Sequence, residues 1–281
     1  MKHRVVAGTF LALGIAWGCA GSTGSKRFAF DARIGGVEDR TTFTNETGWT
    51  ITLTKAEITL GPVYLNVVAP LRDSTQSLRE LFVKNAWAHG EGHLDDGRVV
   101  GEVLGQVRFD ALSSELVTFP VRGTMTQDEV RTSEIWFYPE PGVSAESTKI
   151  ATVALDVAGV AVRDSTNVAF RGQLILNDAW QPDQVNGTRG TASITGLRQV
   201  RGIPSSFFPD EGGHLEIRLD VARLFRGANF ANLEANPTDR DGTKVLVQSK
   251  SGAVSTDQVM TNLYQGLHDA TGTYAVRWIP R

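Results

Sequence analysis

The stretch WTITLTKAEITL, residues 49–60, decides the fold because its apolar residues fall on alternate positions. The first phase comprises Trp49, Ile51 and Leu53, and after a slip of one position the second comprises Ala56, Ile58 and Leu60. A period of two places all side chains of one phase on the same face of a β-strand. Residues 49–60 are therefore predicted to form a long strand with one buried face. The slip predicts a β-bulge or a tight corner near Lys55.

The same alternation recurs along most of the chain. It begins with Phe28, Phe30 and Ala32, and turn-forming residues separate the later runs. Further strands are predicted at Arg98–Phe109, Glu115–Met125, Glu129–Tyr138, Lys149–Val162, Asn167–Leu176, Thr188–Gln199, His214–Val221 and Tyr274–Trp278. Regular short strands of this kind predict an all-β fold, an antiparallel β-sandwich of Ig-like or jelly-roll-like type.

Helical spacing is confined to short segments. Val221, Leu224 and Phe225 are spaced for about one turn, and Val259, Leu263 and Leu267 lie four apart on one helical stripe. Residues 71–88 are predicted to form a short helix or an irregular crossing. The sandwich is therefore expected to carry one or two short helices, and residues 27–281 are expected to form a single domain.

Composition limits the classes of function. Apolar residues make up 41% of the chain and charged residues 21%, which predicts a folded body. Without residues 1–18, the chain has 26 basic and 31 acidic residues, a net charge of −5. Phosphate binding needs concentrated Lys and Arg, and no basic cluster occurs, so a nucleic-acid partner is excluded from the prediction.

The N-terminal residues have the pattern of a secretory signal peptide. A basic start, Met1–Arg4, precedes an apolar run, Val5–Trp17, that is too short to span a bilayer. The run ends Ala16-Trp17-Gly18-Cys19, which resembles the lipobox of bacterial lipoproteins, with Ala16 where Leu is usual and Trp17 where a small residue is usual.

The lipobox resemblance implies removal of residues 1–18 and attachment of lipid to Cys19, the only cysteine in the chain. Residues 19–26 are small and polar and are predicted to form a flexible tether. Ala20 stands where an Asp would imply retention in the inner membrane, so the resemblance implies an outer-membrane address. The expected partner is a membrane, reached through the lipid on Cys19 in the bacterial cell envelope.

One polar stretch, WAHGEGHLDDG at residues 87–97, could carry metal chemistry. Imidazole and carboxylate are ligands for zinc or copper. The candidate ligands are His89, Glu91, His93 and Asp95, with His214 and His268 able to complete a site if the fold brings them near. The alternative interpretation is a solvated loop whose glycines and aspartates form turns.

Catalytic motifs are absent from the sequence. There is no Gly-x-Ser-x-Gly elbow, no phosphate-binding Gly-x-x-x-x-Gly-Lys loop and no dinucleotide-binding Gly-x-Gly-x-x-Gly motif. We therefore expect a protein that is not an enzyme. An envelope hydrolase would need carboxylates or histidines that converge in a cleft.

Three further segments carry a second resemblance. Thr44–Gly48, Pro62–Leu65 and Leu224–Gly227 resemble, in sequence and placement, parts of the periplasmic β-proteins of the methanobactin-associated copper-binding family. The resemblance implies copper binding and a tryptophan that a partner haem enzyme can oxidise, although no ligand of that family maps to a numbered position here. The leading hypothesis is a lipid-anchored envelope β-sandwich that serves as a binding or structural module. The alternative is a periplasmic copper- or zinc-binding protein that uses the His89/His93 loop.

Overall fold

The computed structural model describes residues 26–67, 99–137, 152–176, 198–247 and 258–281. These residues form two β-sheets packed face to face over one core, so the predicted all-β sandwich is confirmed. The strands are β1 Arg27–Gly36, β2 Thr42–Thr44, β3 Thr50–Leu60, β4 Val63–Asn66, β5 Val99–Val103, β6 Val107–Asp110, β7 Val117–Thr118, β8 Gly123–Thr126, β9 Val130–Trp136, β10 Thr152–Arg163, β11 Thr166–Leu176, β12 Gln199–Phe207, β13 His214–Leu219, β14 Lys244–Val245 and β15 Tyr274–Ile279.

The first sheet has the order β12-β9-β4-β5-β8-β1-β13-β15, and β7 pairs with β1. Its two outermost strands, β12 and β15, pack against each other, so the sheet curls back on itself. The second sheet has the order β14-β11-β10-β3-β2, with β6 paired to β3. Most pairs are antiparallel, and the parallel pairs are β1 with β13 and β11 with β14.

The stretch that decided the fold forms β3, whose two apolar phases are all buried. Opposite it on β10, the register shifts so that Ala158 faces Lys55 while Gly159 faces Leu53, which leaves Thr54 as the extra residue. The predicted bulge near Lys55 is therefore confirmed. It keeps both phases in the core although the phase changes along the strand. A cis peptide bond at Gly61-Pro62 then connects β3 to β4 in the other sheet.

In the part of the chain that the structure describes, two short α-helices and one 3-10 helix cover part of the second sheet. They are α1 Val221–Leu224, α2 Gln258–Leu267 and the 3-10 helix Phe230–Ala235. The predicted stripe of Val259, Leu263 and Leu267 is buried. The helices α1 and α2 cross closely at Gly266, where a Cβ would lie 2.5 Å from the Cα of Leu224. Among the described residues, no helix has the length and apolar character needed to cross a bilayer.

Two predicted strands prove to be four. Arg98–Phe109 divides into β5 in the first sheet and β6 in the second, and Glu115–Met125 divides into β7 and β8. The sequence hides the first crossing because Val103 and Val107 keep the same alternation on both sides of Gly105 and both face the core. The predicted strand Thr188–Gln199 overlaps β12 only at Gln199, so most of β12 was missed. Of the predicted range, only Arg198 and Gln199 lie within the described residues.

Candidate functional site

Two of the segments that carry the copper-family resemblance meet in space. The Asn45 side chain donates to the carbonyl oxygens of Phe225 (2.9 Å) and Ala228 (2.7 Å), and its Oδ1 accepts from the N–H groups of Thr47 and Trp49. The amide side chain thus satisfies backbone groups on two loops that are about 180 residues apart in sequence. We call residues 44–49 and 225–230 the Asn45 junction.

Trp49 is the buried centre of the Asn45 junction. Its indole Nε1 donates to Oδ1 of Asn229 at 3.1 Å, and Phe230 lies against its ring with centroids 5.5 Å apart. The Arg163 guanidinium stacks over the indole at 4.6 Å and donates to the Thr47 carbonyl at 3.2 Å. Because the indole is fully buried and its N–H is bonded, its role in this arrangement is to close the core.

A second polar group lies on the face of the first sheet that points away from the core. Glu134, Trp136 and Gln199 are buried there on neighbouring strands β9 and β12. One carboxylate oxygen of Glu134 accepts from both Trp136 Nε1 and Gln199 Nε2. Within the described residues, the buried Gln199 Oε1 has no hydrogen-bond partner, although a buried carbonyl oxygen normally accepts at least one bond.

One carboxylate in each sheet, Glu216 in the first and Asp156 in the second, is held in ion pairs. Burial alone would raise the pKa of Glu216, but Arg277 and Arg218 outweigh it and the pKa lies below its ordinary value of 4.5. Burial likewise opposes ionisation of Asp156, yet the hydrogen bonds from Lys55 (2.8 Å) and Gln173 (2.9 Å) lower its pKa. These carboxylates are ionised near neutral pH, and their oxygens already accept from side chains of the fold.

The predicted metal ligands are only partly within the described residues. Four of them, His89, Glu91, His93 and Asp95, lie outside, as does Cys19, the predicted site of lipid attachment. His214 begins β13, between Asp31 of β1 and Ile279 of β15, and is partly buried. In the part of the chain that the structure describes, no three His, Cys, Asp or Glu side chains are grouped closely enough to hold an ion.

His214 begins β13 at the end of the sheet where the segment that contains the other candidate ligands departs and returns. That segment leaves β4 after Asn66 and Val67 and returns at Val99, and Asn66 pairs with Val99. Strand β5 is three strands from β13, about 14 Å at the usual strand spacing, and the strand registers place His214 about 16 Å further along the strand direction from the level of Val99. His268 belongs elsewhere: its ring packs on Tyr264 (4.0 Å) and Phe137 (5.6 Å) beyond the opposite end of β9.

The tryptophans singled out in the sequence also fall partly within and partly outside the described residues. Trp49, Trp136 and Trp278 are buried, as their alternating positions predict, whereas Trp87 and Trp180, the candidates for an exposed binding surface, lie outside the described residues. Sequence reasoning missed the buried Glu134 and Gln199 pair. The only sign of the pair in the sequence is the carboxylate of Glu134 among the residues that form β9.

The fold places the protein in one structural class, the all-β sandwich, with one of its two sheets curled. No protein-family model matches the sequence, and no curated protein matches it. Among solved structures, the chain is similar to MbnP from Methylosinus trichosporium, with 9% identity and a TM-score of 0.34 over 90% of this chain and 98% of that one. At this identity and TM-score the similarity transfers no residue role or activity.

Proposed function

We propose that the protein is a lipid-anchored β-sandwich of the bacterial cell envelope that acts as a binding or structural module and is not an enzyme. The observation that supports the anchor is the tetrapeptide Ala16–Cys19, which is followed by only seven residues before β1 begins at Arg27. The two acyl chains of a diacylglyceryl group on the Cys19 sulfur would bury many methylene groups in a bilayer, and each contributes about 0.8 kcal/mol of binding. The tether is short, so the body stays close to the membrane.

The two buried carboxylates among the described residues, Glu134 and Glu216, support a role without catalysis. A general base needs an oxygen that can take a proton from a substrate. Glu216 is bonded to Arg218 and Arg277, and Glu134 accepts from Trp136 and Gln199. Their hydrogen-bonding capacity is therefore used to stabilise the sheet.

Metabolic labelling with a fatty acid tests the anchor. We expect label to enter the wild-type protein and the control Ser22→Ala, which changes the same tether, and to be absent from Cys19→Ala. Mass spectrometry of the wild type should find an N-terminus at a modified Cys19. An unlabelled wild-type protein that retains residues 1–18 would contradict the proposal.

A periplasmic copper- or zinc-binding protein is the second candidate. The observation that favours it is the position of His214 at the end of the sheet where the segment with His89 and His93 departs and returns. Neutral imidazoles, with Glu91 or Asp95, would hold the ion.

Metal analysis of the mature chain, residues 19–281, distinguishes the two candidates. The metal hypothesis predicts about one copper or zinc per chain, loss of that metal in His89→Ala/His93→Ala, and weaker binding in His214→Ala. His268→Gln is the matched control because the His268 ring packs on Tyr264 of α2 and on Phe137. A wild-type chain that binds neither ion at micromolar concentration would remove the metal hypothesis and leave the anchored module in place.

A further inference from the structure

We propose that the loop of residues 208–213 rests on the bilayer and that the Phe208 side chain inserts into the lipid interface. The inference depends on the proposed lipid anchor for the position of the body, but it assigns a second, direct contact with lipid. Its basis is the combination of an exposed aromatic side chain, a loop that is fixed in place, and the point at which the tether joins the fold.

Phe208 is the most exposed large apolar side chain among the described residues, with 69% of its surface accessible. It follows Phe207, the last residue of β12, and precedes Pro209. Isolated exposed valines are ordinary on protein surfaces, whereas a mostly exposed phenylalanine leaves a large apolar ring in water. Aromatic rings of this kind are favoured at the boundary between lipid headgroups and acyl chains.

The loop that presents Phe208 is held by Trp278 of β15. The Phe207 ring stacks on Trp278 with centroids 6.2 Å apart, and Asp210 accepts a hydrogen bond from the indole Nε1. Gly213 packs so closely that a Cβ there would lie 2.4 Å from that nitrogen. These contacts with Trp278 hold the loop in place. Phe208 therefore stays exposed, because the loop does not fold back onto the core.

The tether joins the body beside this loop. Lys26, the residue before β1, forms an ion pair with Glu211, so the start of the fold and the loop lie together. The pair also neutralises the Glu211 carboxylate, which lowers the cost of bringing the loop to an anionic membrane surface.

The tether length limits which surface can reach lipid. Seven peptide units from Cys19 to Lys26 span at most about 25 Å when fully extended. Val37, an exposed residue just past the other end of β1, is about 36 Å farther along the strand than Lys26. The end with Phe208 is thus the end that an anchor on Cys19 holds at the bilayer.

The single cysteine of the chain allows a direct test. In the mature chain with Cys19→Ala, an N-terminal His-tag holds the protein on vesicles of phosphatidylcholine, phosphatidylglycerol and nickel-chelating lipid. An environment-sensitive fluorophore is attached at Phe208→Cys or, as the matched exposed control, at Val37→Cys. The same two positions are then measured on vesicles that carry brominated acyl chains.

We expect the fluorophore at position 208 to shift to the blue and to lose at least half of its intensity on brominated vesicles. At position 37 both values should match those in solution. Equal, unquenched emission from both positions would overturn the inference. A blue shift at 208 that requires no lipid and grows with protein concentration would also overturn it, since a second copy of the chain would then cover the loop.

The outcome is separate from that of the fatty-acid labelling, because the tag replaces the natural anchor. Quenching at 208 together with an unlabelled wild-type protein would disprove the proposed function and leave a lipid-contacting loop. A labelled protein without quenching at 208 would leave the anchor and remove the loop contact.

Discussion

Two buried tryptophans make the same kinds of contact with a neighbouring loop, an indole hydrogen bond and a phenylalanine ring packed on the indole, yet the two loops differ. Trp49, which precedes β3, donates to Asn229 and packs on Phe230, and Trp278 of β15 donates to Asp210 and stacks on Phe207. The loop at Trp49 turns its apolar side chains inward, whereas the loop at Trp278 leaves Phe208 in solvent. Folding alone explains the first arrangement. The exposed ring of the second needs a partner, which we propose is lipid.

The largest expected effect comes from removing the better buried indole. Trp49→Ala should lower the free energy of unfolding by about 3–5 kcal/mol, because it leaves a large cavity and removes the indole hydrogen bond to Asn229. Trp278→Ala should cost less, since its ring retains some solvent contact. Urea unfolding followed by circular dichroism measures both, and an equal or greater loss at Trp278 would break the comparison.

A smaller effect is expected from the amide that joins the loops at Trp49. Asn45→Ala should cost about 1–3 kcal/mol, because the Phe225 and Ala228 carbonyls lose the amide donor and the Thr47 and Trp49 N–H groups lose their Oδ1 acceptor. Its neighbour Glu46 forms an ion pair with Arg226 between exposed side chains, so Glu46→Ala should change stability by less than about 1 kcal/mol. The same urea series provides the measurement. Similar losses for both variants would show that the junction is not the source of the stability.

The region around Trp278 should also make the unfolding free energy depend on pH in the acid range, through the carboxylate of Glu216. Glu216, which pairs across strands with Arg277 beside Trp278, has a lowered pKa in the folded protein. Its folded form binds a proton more weakly than its unfolded form, so its contribution is present above the ordinary pKa of 4.5 and is lost as pH falls through the lower folded value. The unfolding free energy of wild type should therefore decline more steeply below pH 4.5 than that of Glu216→Gln. Parallel pH curves for the two proteins would contradict this.

The smallest effect is expected at the exposed ring. Phe208→Ser should change the free energy of unfolding by less than about 0.5 kcal/mol, because the side chain buries little surface in the fold. Phe207→Ser should cost more, since it removes the ring that stacks on Trp278. Thermal unfolding of both variants provides the check. A large loss at Phe208 would mean that its ring supports the fold and would weaken the contrast between the two loops.

Much of the fold could be predicted from local pattern. Alternation identified β1, β3 and β15, the phase slip located the bulge at Thr54, and the four-residue spacing located α2. Pattern failed where two strands in different sheets share one phase, as at Val103 and Val107. The candidate site was less predictable, because the only conspicuous histidines, His89 and His93, fall outside the described residues and His214 gains its meaning from its neighbours in the sheet.

The sequence by itself determined the class of structure and the proposed location in the cell envelope. Periodicity, turn residues and the segment ending at Cys19 are local, and local pattern is enough to specify strands and a processing motif. Only the tertiary structure decided that residues 44–49 meet residues 225–230, that β1 runs parallel to β13, and that Phe208 stays exposed beside the start of the tether. Those facts depend on contacts between residues far apart in the chain, and packing of the whole sandwich is what selects them.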